Sequence, residues 1–307
     1  MSTSARPPER RAPSLGEDVR ETLGAGLARS ASYAASGLAD AHPTRFADVS
    51  WDGKRHDIEY VFIAPQRTQQ PLLVFLHEGL GSVAMWKDFP YALCEAAGCR
   101  GLVLSRWGYG QSSPRPGHEK WPTDFMHRQA RHFLPAFFEA IGHDTRTDRP
   151  WFYGHSDGGS IALMHAAAFP DRVGGLIAAA PHLFVESVTL ASIEQARDGY
   201  VTTDLRSKLA RYHADPDSAF WGWNDVWLNP EFKRWNIKAL LPDIRCPVLA
   251  VQGYDDEYGT MAQIDGIAEE VPHAELLKLE DCGHSPHRDQ PARLIEACVA
   301  FMRRHHT

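Results

Sequence analysis

Short, uninterrupted apolar runs separated by stretches of helical periodicity restrict this chain's folding choices more than any other feature. Residues 71–77 read Pro-Leu-Leu-Val-Phe-Leu-His, and similar runs occupy 101–104, 151–153, 173–179, 248–251 and 274–279. A strand that is apolar at every position is one buried on both faces. The intervening segments 86–97, 124–141, 158–169, 261–271 and 292–303 carry the spacing of helices. Strands that alternate with helices build βαβ units and a parallel sheet. Ahead of them Val49 and Trp51, then Ile58, Tyr60 and Phe62, alternate with polar neighbours around Asp52-Gly53. That pattern predicts an antiparallel hairpin.

Two segments break the rhythm. Residues 182–241 contain no buried strand but hold Trp221, Trp223, Trp227 and Trp235, four of the chain's nine tryptophans. Lying between two core strands, they are expected to form a helical cap inserted into a core made of 45–181 and 242–307. Residues 1–44, rich in Ala, Ser, Arg and Pro, are expected to be a poorly ordered tail with at most a weak helix over 18–39. The whole chain, 307 residues, is long enough to bury a large core.

The segment Gly154-His155-Ser156-Asp157-Gly158-Gly159 sits between an apolar run and a helical stretch. Flanking glycines permit the strained turn that lifts a serine above a sheet, at the head of a helix whose dipole favours developing negative charge. A serine hydroxyl is a weak nucleophile until a base takes its proton. His284, in Cys282-Gly283-His284-Ser285-Pro286-His287 after the last expected strand, is the candidate base; His287 is the nearby competitor, expected instead to lie at the surface or to support the base. The base in turn needs an acid to orient it. Asp255, Asp256 and Glu257 follow the run 248–251 in a row, and Asp256 is the leading candidate. The oxyanion requires N–H donors. The backbone of Asp157, next to the nucleophile, is one candidate. Gly79, in the glycine-rich stretch His77-Glu78-Gly79-Leu80-Gly81, is the other, with Glu78 as its alternative.

With these motifs in hand the chain resembles the α/β-hydrolase superfamily from about Phe46 to the C-terminus. Besides the serine turn, Ser105-Arg106-Trp107-Gly108-Tyr109-Gly110-Gln111-Ser112 is similar to the family's loop after the fourth strand, and Gly283-His284 to its histidine loop. In the family the acid usually stands three residues after a glycine, which singles out Asp256 after Gly253. The resemblance implies an eight-stranded, mostly parallel sheet flanked by helices, with an inserted helical cap. It also implies an acyl-enzyme mechanism that needs no cofactor and no metal. The chain departs from the family at Glu78, where relatives commonly carry glycine, and at Asp157, where many carry Met or Gln.

The implied activity is hydrolysis of a carboxylic ester with a small apolar or aromatic acyl group, bound by Trp221, Trp223 and Trp227. Acyl-CoA thioester hydrolysis and C–C bond hydrolysis of a ring-cleavage product use the same residues. A receptor or scaffold on this fold is the non-enzymatic alternative. The expected partner is a small-molecule ester or thioester. The net charge of −7 speaks against a nucleic-acid partner. No apolar run is long enough to span a membrane. Five cysteines, an odd number, favour a reducing, cytoplasmic setting, and the residues after Arg10-Arg11 do not read as a secretory leader.

Overall fold

The computed structural model describes residues 42–305. The expected tail lies outside them except for its last three residues. Strands β1 (Arg45–Trp51) and β2 (Lys54–Ile63) form the predicted hairpin, with Asp52 and Gly53 at φ of 55° and 72° at its tip. Two positive φ values are what a two-residue turn between right-twisted strands requires, and Asp-Gly supplies them at low cost. β2 then pairs antiparallel with β4 (Arg100–Leu104).

The rest of the sheet is parallel. β3 (Leu72–Leu76), β5 (Trp151–His155), β6 (Gly175–Ala179), β7 (Val248–Gly253) and β8 (Glu275–Leu279) complete eight strands in the order β1-β2-β4-β3-β5-β6-β7-β8. Along each central strand, side chains alternate between two cores. Leu72, Val74, Phe152, Leu176 and Val248 belong to one, and Leu73, Phe75, Tyr153, Ile177 and Leu249 to the other. Both faces are therefore apolar, which is why these strands read as unbroken apolar runs.

Helices cover both faces. α1 (Phe89–Ala97) packs through Leu93 and Cys94 on one face. On the other lies α2, a continuous run of Phe125–Arg128, a π turn Gln129–Phe133, and Leu134–Ala140. α3 (Asp157–Ala168) is buried along most of its length. Between β6 and β7 come α4 (Ser187–Thr202), α5 (Leu205–Leu209) and α6 (Pro216–Trp227). Asp215 caps α6 by accepting from Ser218 N–H at 2.9 Å, and Pro216 occupies the first turn, where no N–H is needed. α7 (Ala262–Glu270), the short α8 (Pro286–Asp289) and α9 (Pro291–His305) complete the chain. Pro286 starts α8, because proline fits a first turn well. All five cysteines are buried and unpaired. No helix among the described residues is long and apolar enough to cross a membrane.

Candidate active site

The three loops that carry Ser156, Asp256 and His284 leave the carboxyl ends of β5, β7 and β8, the edge where open parallel sheets bind ligands. Ser156 sits between β5 and α3 with φ 53° and ψ −121°. A non-glycine residue held there is strained, and the surroundings enforce it. Its N–H donates to Ala179 carbonyl at 2.9 Å, which ties the turn to the neighbouring strand. A Cβ on Gly158 would lie 2.1 Å from the carbonyl oxygen of Leu76, so only glycine lets α3 start this close to β3.

His284 Nε2 is 2.9 Å from Ser156 Oγ, and His284 Nδ1 is 2.9 Å from both carboxylate oxygens of Asp256. These partners place the ring hydrogen on Nδ1 and leave Nε2 free to accept from the serine. The Asp256 side chain is fully buried. Burial alone would raise its carboxyl. The hydrogen bond and positive field of His284, with the N–H of Tyr258 at 2.8 Å, outweigh burial and hold it below its ordinary value. Gln252 Nε2, at 2.6 Å, and Gly259 N–H, at 3.1 Å, also donate to this carboxylate. Of the sequence alternatives, Asp255 is exposed, and Glu257 accepts from the backbone N–H of His284 at 3.1 Å.

A cavity of about 170 Å³ opens over Ser156. Gly79, Asp157, Trp223 and Trp227 line it, whereas Trp221 does not. The Trp221 ring packs outside it, 5.5 Å from Tyr200 and 5.1 Å from Phe220, centroid to centroid. Trp223 explains the glycine at 79, because a Cβ there would come within 2.2 Å of the indole Nε1. Trp227 donates to the Asp157 carboxylate at 3.2 Å. Burial raises the Asp157 carboxyl above its ordinary range. Sequence reasoning missed His182, Thr189, Ile193 and Tyr258, which also line the cavity. Gln252 and Tyr258 could have been suspected, since they flank the acid by a few positions. His182 and Ile193 carry no local signal.

Four histidines cluster near the serine. The His284 ring lies 5.1 Å from His155 and 5.8 Å from His182, and His287 lies 4.9 Å from His155. Burial pushes His182 down to about 3 and His287 down to about 2. His165, buried on α3, falls to about 4. The unfolded chain protonates such residues near pH 6.5, while the folded chain keeps them neutral. Stability is therefore complete above pH 6.5 and is lost as pH falls below it, at about 1.4 kcal/mol per unit for each histidine. By pH 4.5 the three together cost on the order of 8 kcal/mol, comparable with the whole stability of a typical domain. The melting temperature should drop steeply between pH 6.5 and 4.5. A flat profile over that range would contradict the neutral burial of these residues.

Comparison with known proteins agrees with the fold. A family model described as the alpha/beta hydrolase family matches residues 73–297. A pimeloyl-[acyl-carrier protein] methyl ester esterase from Aromatoleum aromaticum is 28% identical over 153 residues, which cover 49% of this chain and 56% of the relative. The human serine hydrolase BPHL is 27% identical over 192 residues, covering 59% of this chain and 61% of the relative. The match thus spans less than two thirds of the length of both relatives. Among solved structures, a carboxylesterase from Nitrososphaera gargenis superposes with a TM-score of 0.67 at 18% identity, covering 84% of this chain and 98% of that one. At that identity the likeness shows the fold alone.

Proposed function

The chain belongs to the alpha/beta hydrolase family, and we propose that it is a serine hydrolase that cleaves a carboxylic ester of a small apolar or aromatic acyl group. The observation that carries the proposal is the unbroken hydrogen-bonded line from Ser156 through His284 to Asp256. His284 Nε2 takes the proton of Ser156 as Oγ attacks the ester carbonyl. The backbone N–H groups of Asp157 and Gly79 hold the oxyanion, and the buried Asp256 carboxylate stabilises the imidazolium. His284 then passes the proton to the departing alcohol, which leaves the acyl group on Ser156. Water, deprotonated by His284, attacks the acyl-enzyme, releases the acid and restores the serine. Residues 182–241 act as the cap, and Ile193, Trp223 and Trp227 supply the apolar wall for the acyl group.

The lining of the catalytic cavity favours an ester over an acyl-CoA. It includes Glu78, Asp157 and Glu257 but neither lysine nor arginine among the described residues, and a phosphorylated nucleotide needs cations. One observation supports the thioesterase reading. Lys87 and Arg288 line a neighbouring groove of about 550 Å³. A matched pair, one acyl group offered as a simple ester and as its CoA thioester, separates the two. The simple ester should give the higher kcat/KM. A higher value for the CoA form, with an advantage that shrinks as salt rises, would replace the ester reading with the thioesterase one.

A further inference from the structure

Glu78 is the chain's departure from its family in the loop after β3, and the structure turns its side chain toward the catalytic machinery. Glu78 lines the cavity over Ser156, with 19% of its side chain exposed. It folds back over its own loop, because a Cβ on Gly81 would come within 2.5 Å of its Oε2. The same oxygen faces His155 Nδ1 at 3.5 Å. The His155 ring is buried, and its Nε2 donates to the carbonyl of His284 at 2.6 Å. Nε2 is thereby bonded, while Nδ1 makes no hydrogen bond and faces the Glu78 carboxylate only at ion-pair distance. An imidazole satisfies that arrangement in full only with a hydrogen on each nitrogen.

The electrostatic setting gives this pair a task. The oxyanion of the proposed reaction develops in the cavity that Glu78 lines. A bare carboxylate there would oppose it, and in a site of low dielectric the penalty is large. Arg288 is weak compensation, since its Nη2 stands 3.9 Å from Oε1 and its side chain is half exposed. Burial would by itself raise the Glu78 carboxyl. The neighbouring His155 holds it well below its ordinary range instead.

We propose that Glu78 and His155 form a charge-compensated positioning pair that ties the loop after β3, the Ser156 turn and the His284 loop into one unit, with His155 cancelling the Glu78 charge beside the oxyanion. The proposal rests on the serine-hydrolase reading above. His155 holds the base loop through the His284 carbonyl, and Glu78 holds the ring of His155. Neither residue takes the proton of Ser156.

Three variants test it: E78Q, H155Q and the double variant. Rates are expressed per Ser156 labelled by a fluorophosphonate, so that misfolded protein is not counted. E78Q removes the charge that needs compensating and keeps the shape, so kcat should fall less than about tenfold. H155Q leaves Glu78 uncompensated and should lower kcat about a hundredfold, with KM changed less than about threefold. The decisive measurement is the double variant, which should turn over about tenfold faster than H155Q, because the opposing charge is gone. A residue with a purely structural role cannot give that rescue. A double variant no faster than H155Q, with wild type labelled at Ser156, overturns the pair alone. A wild type that the probe does not label at Ser156 overturns the serine-hydrolase reading, and the pair with it.

Discussion

Ser156→Ala should lower kcat by about four to six orders of magnitude while leaving the fold in place. Alanine keeps the Cβ, and therefore the same strained backbone at φ 53°, so the turn gains no new conflict. The contact that disappears is the one from Oγ to His284 Nε2, which faces the cavity. The melting temperature should accordingly move by no more than a few degrees. A fluorophosphonate should label the wild type at Ser156 and leave the variant untouched. Two other serines lie close enough to be competitors. Ser285 lines the same cavity, and Ser160 stands one helical turn on, with its hydroxyl committed to the His182 carbonyl at 2.7 Å. Labelling of the Ser156→Ala protein at either of them, with turnover retained, would overturn the assignment of the nucleophile.

The central architecture is legible in the sequence because it follows from burial on two faces. Leu73 and Val74 point to opposite cores, so no polar residue interrupts the run, and the run itself marks a central strand. The serine turn is legible for a related reason. Gly158 is needed within van der Waals reach of the Leu76 carbonyl, and that need leaves a glycine signature at a fixed spacing. The walls of the cavity are less legible. Ile193 and Trp223 stand on different helices between β6 and β7, and no local spacing says which face of each helix meets Ser156. Trp221 and Trp223 are two residues apart and so point different ways on one helix. Composition alone suggested both for the cavity, but only Trp223 reaches it. Glu78 was visible as a departure from the family pattern. What the sequence could not reveal was its direction, because the partner His155 lies 77 positions away, reached through the pairing of β3 with β5.

Asp256→Asn should lower kcat by about four orders of magnitude, and Asp255→Asn by less than about twofold. The difference follows from what each carboxylate meets. Four donors converge on the two oxygens of Asp256: His284 Nδ1, Gln252 Nε2, Tyr258 N–H and Gly259 N–H. Asparagine offers one oxygen and an NH₂ group in the same space. Whichever way the amide turns, its NH₂ meets groups that are themselves donors, and the conflict costs about 1–3 kcal/mol of stability in a buried site. If the NH₂ faces His284, the ring must give up its Nδ1 hydrogen. The hydrogen then moves to Nε2, the nitrogen that has to accept the proton of Ser156. If instead the oxygen faces His284, the tautomer survives, but the charge that stabilises the imidazolium is lost. Both routes disable the base, so the rate loss should not depend on which orientation the amide takes. Asp255 is exposed, and its backbone N–H, bonded to the Cys282 carbonyl at 3.0 Å, is untouched by the substitution. Steady-state kinetics on the two variants, with melting curves as the control for folding, measure the contrast. A larger loss of kcat in Asp255→Asn than in Asp256→Asn would transfer the orienting role to Asp255 and contradict the hydrogen-bonded line on which the proposed mechanism stands.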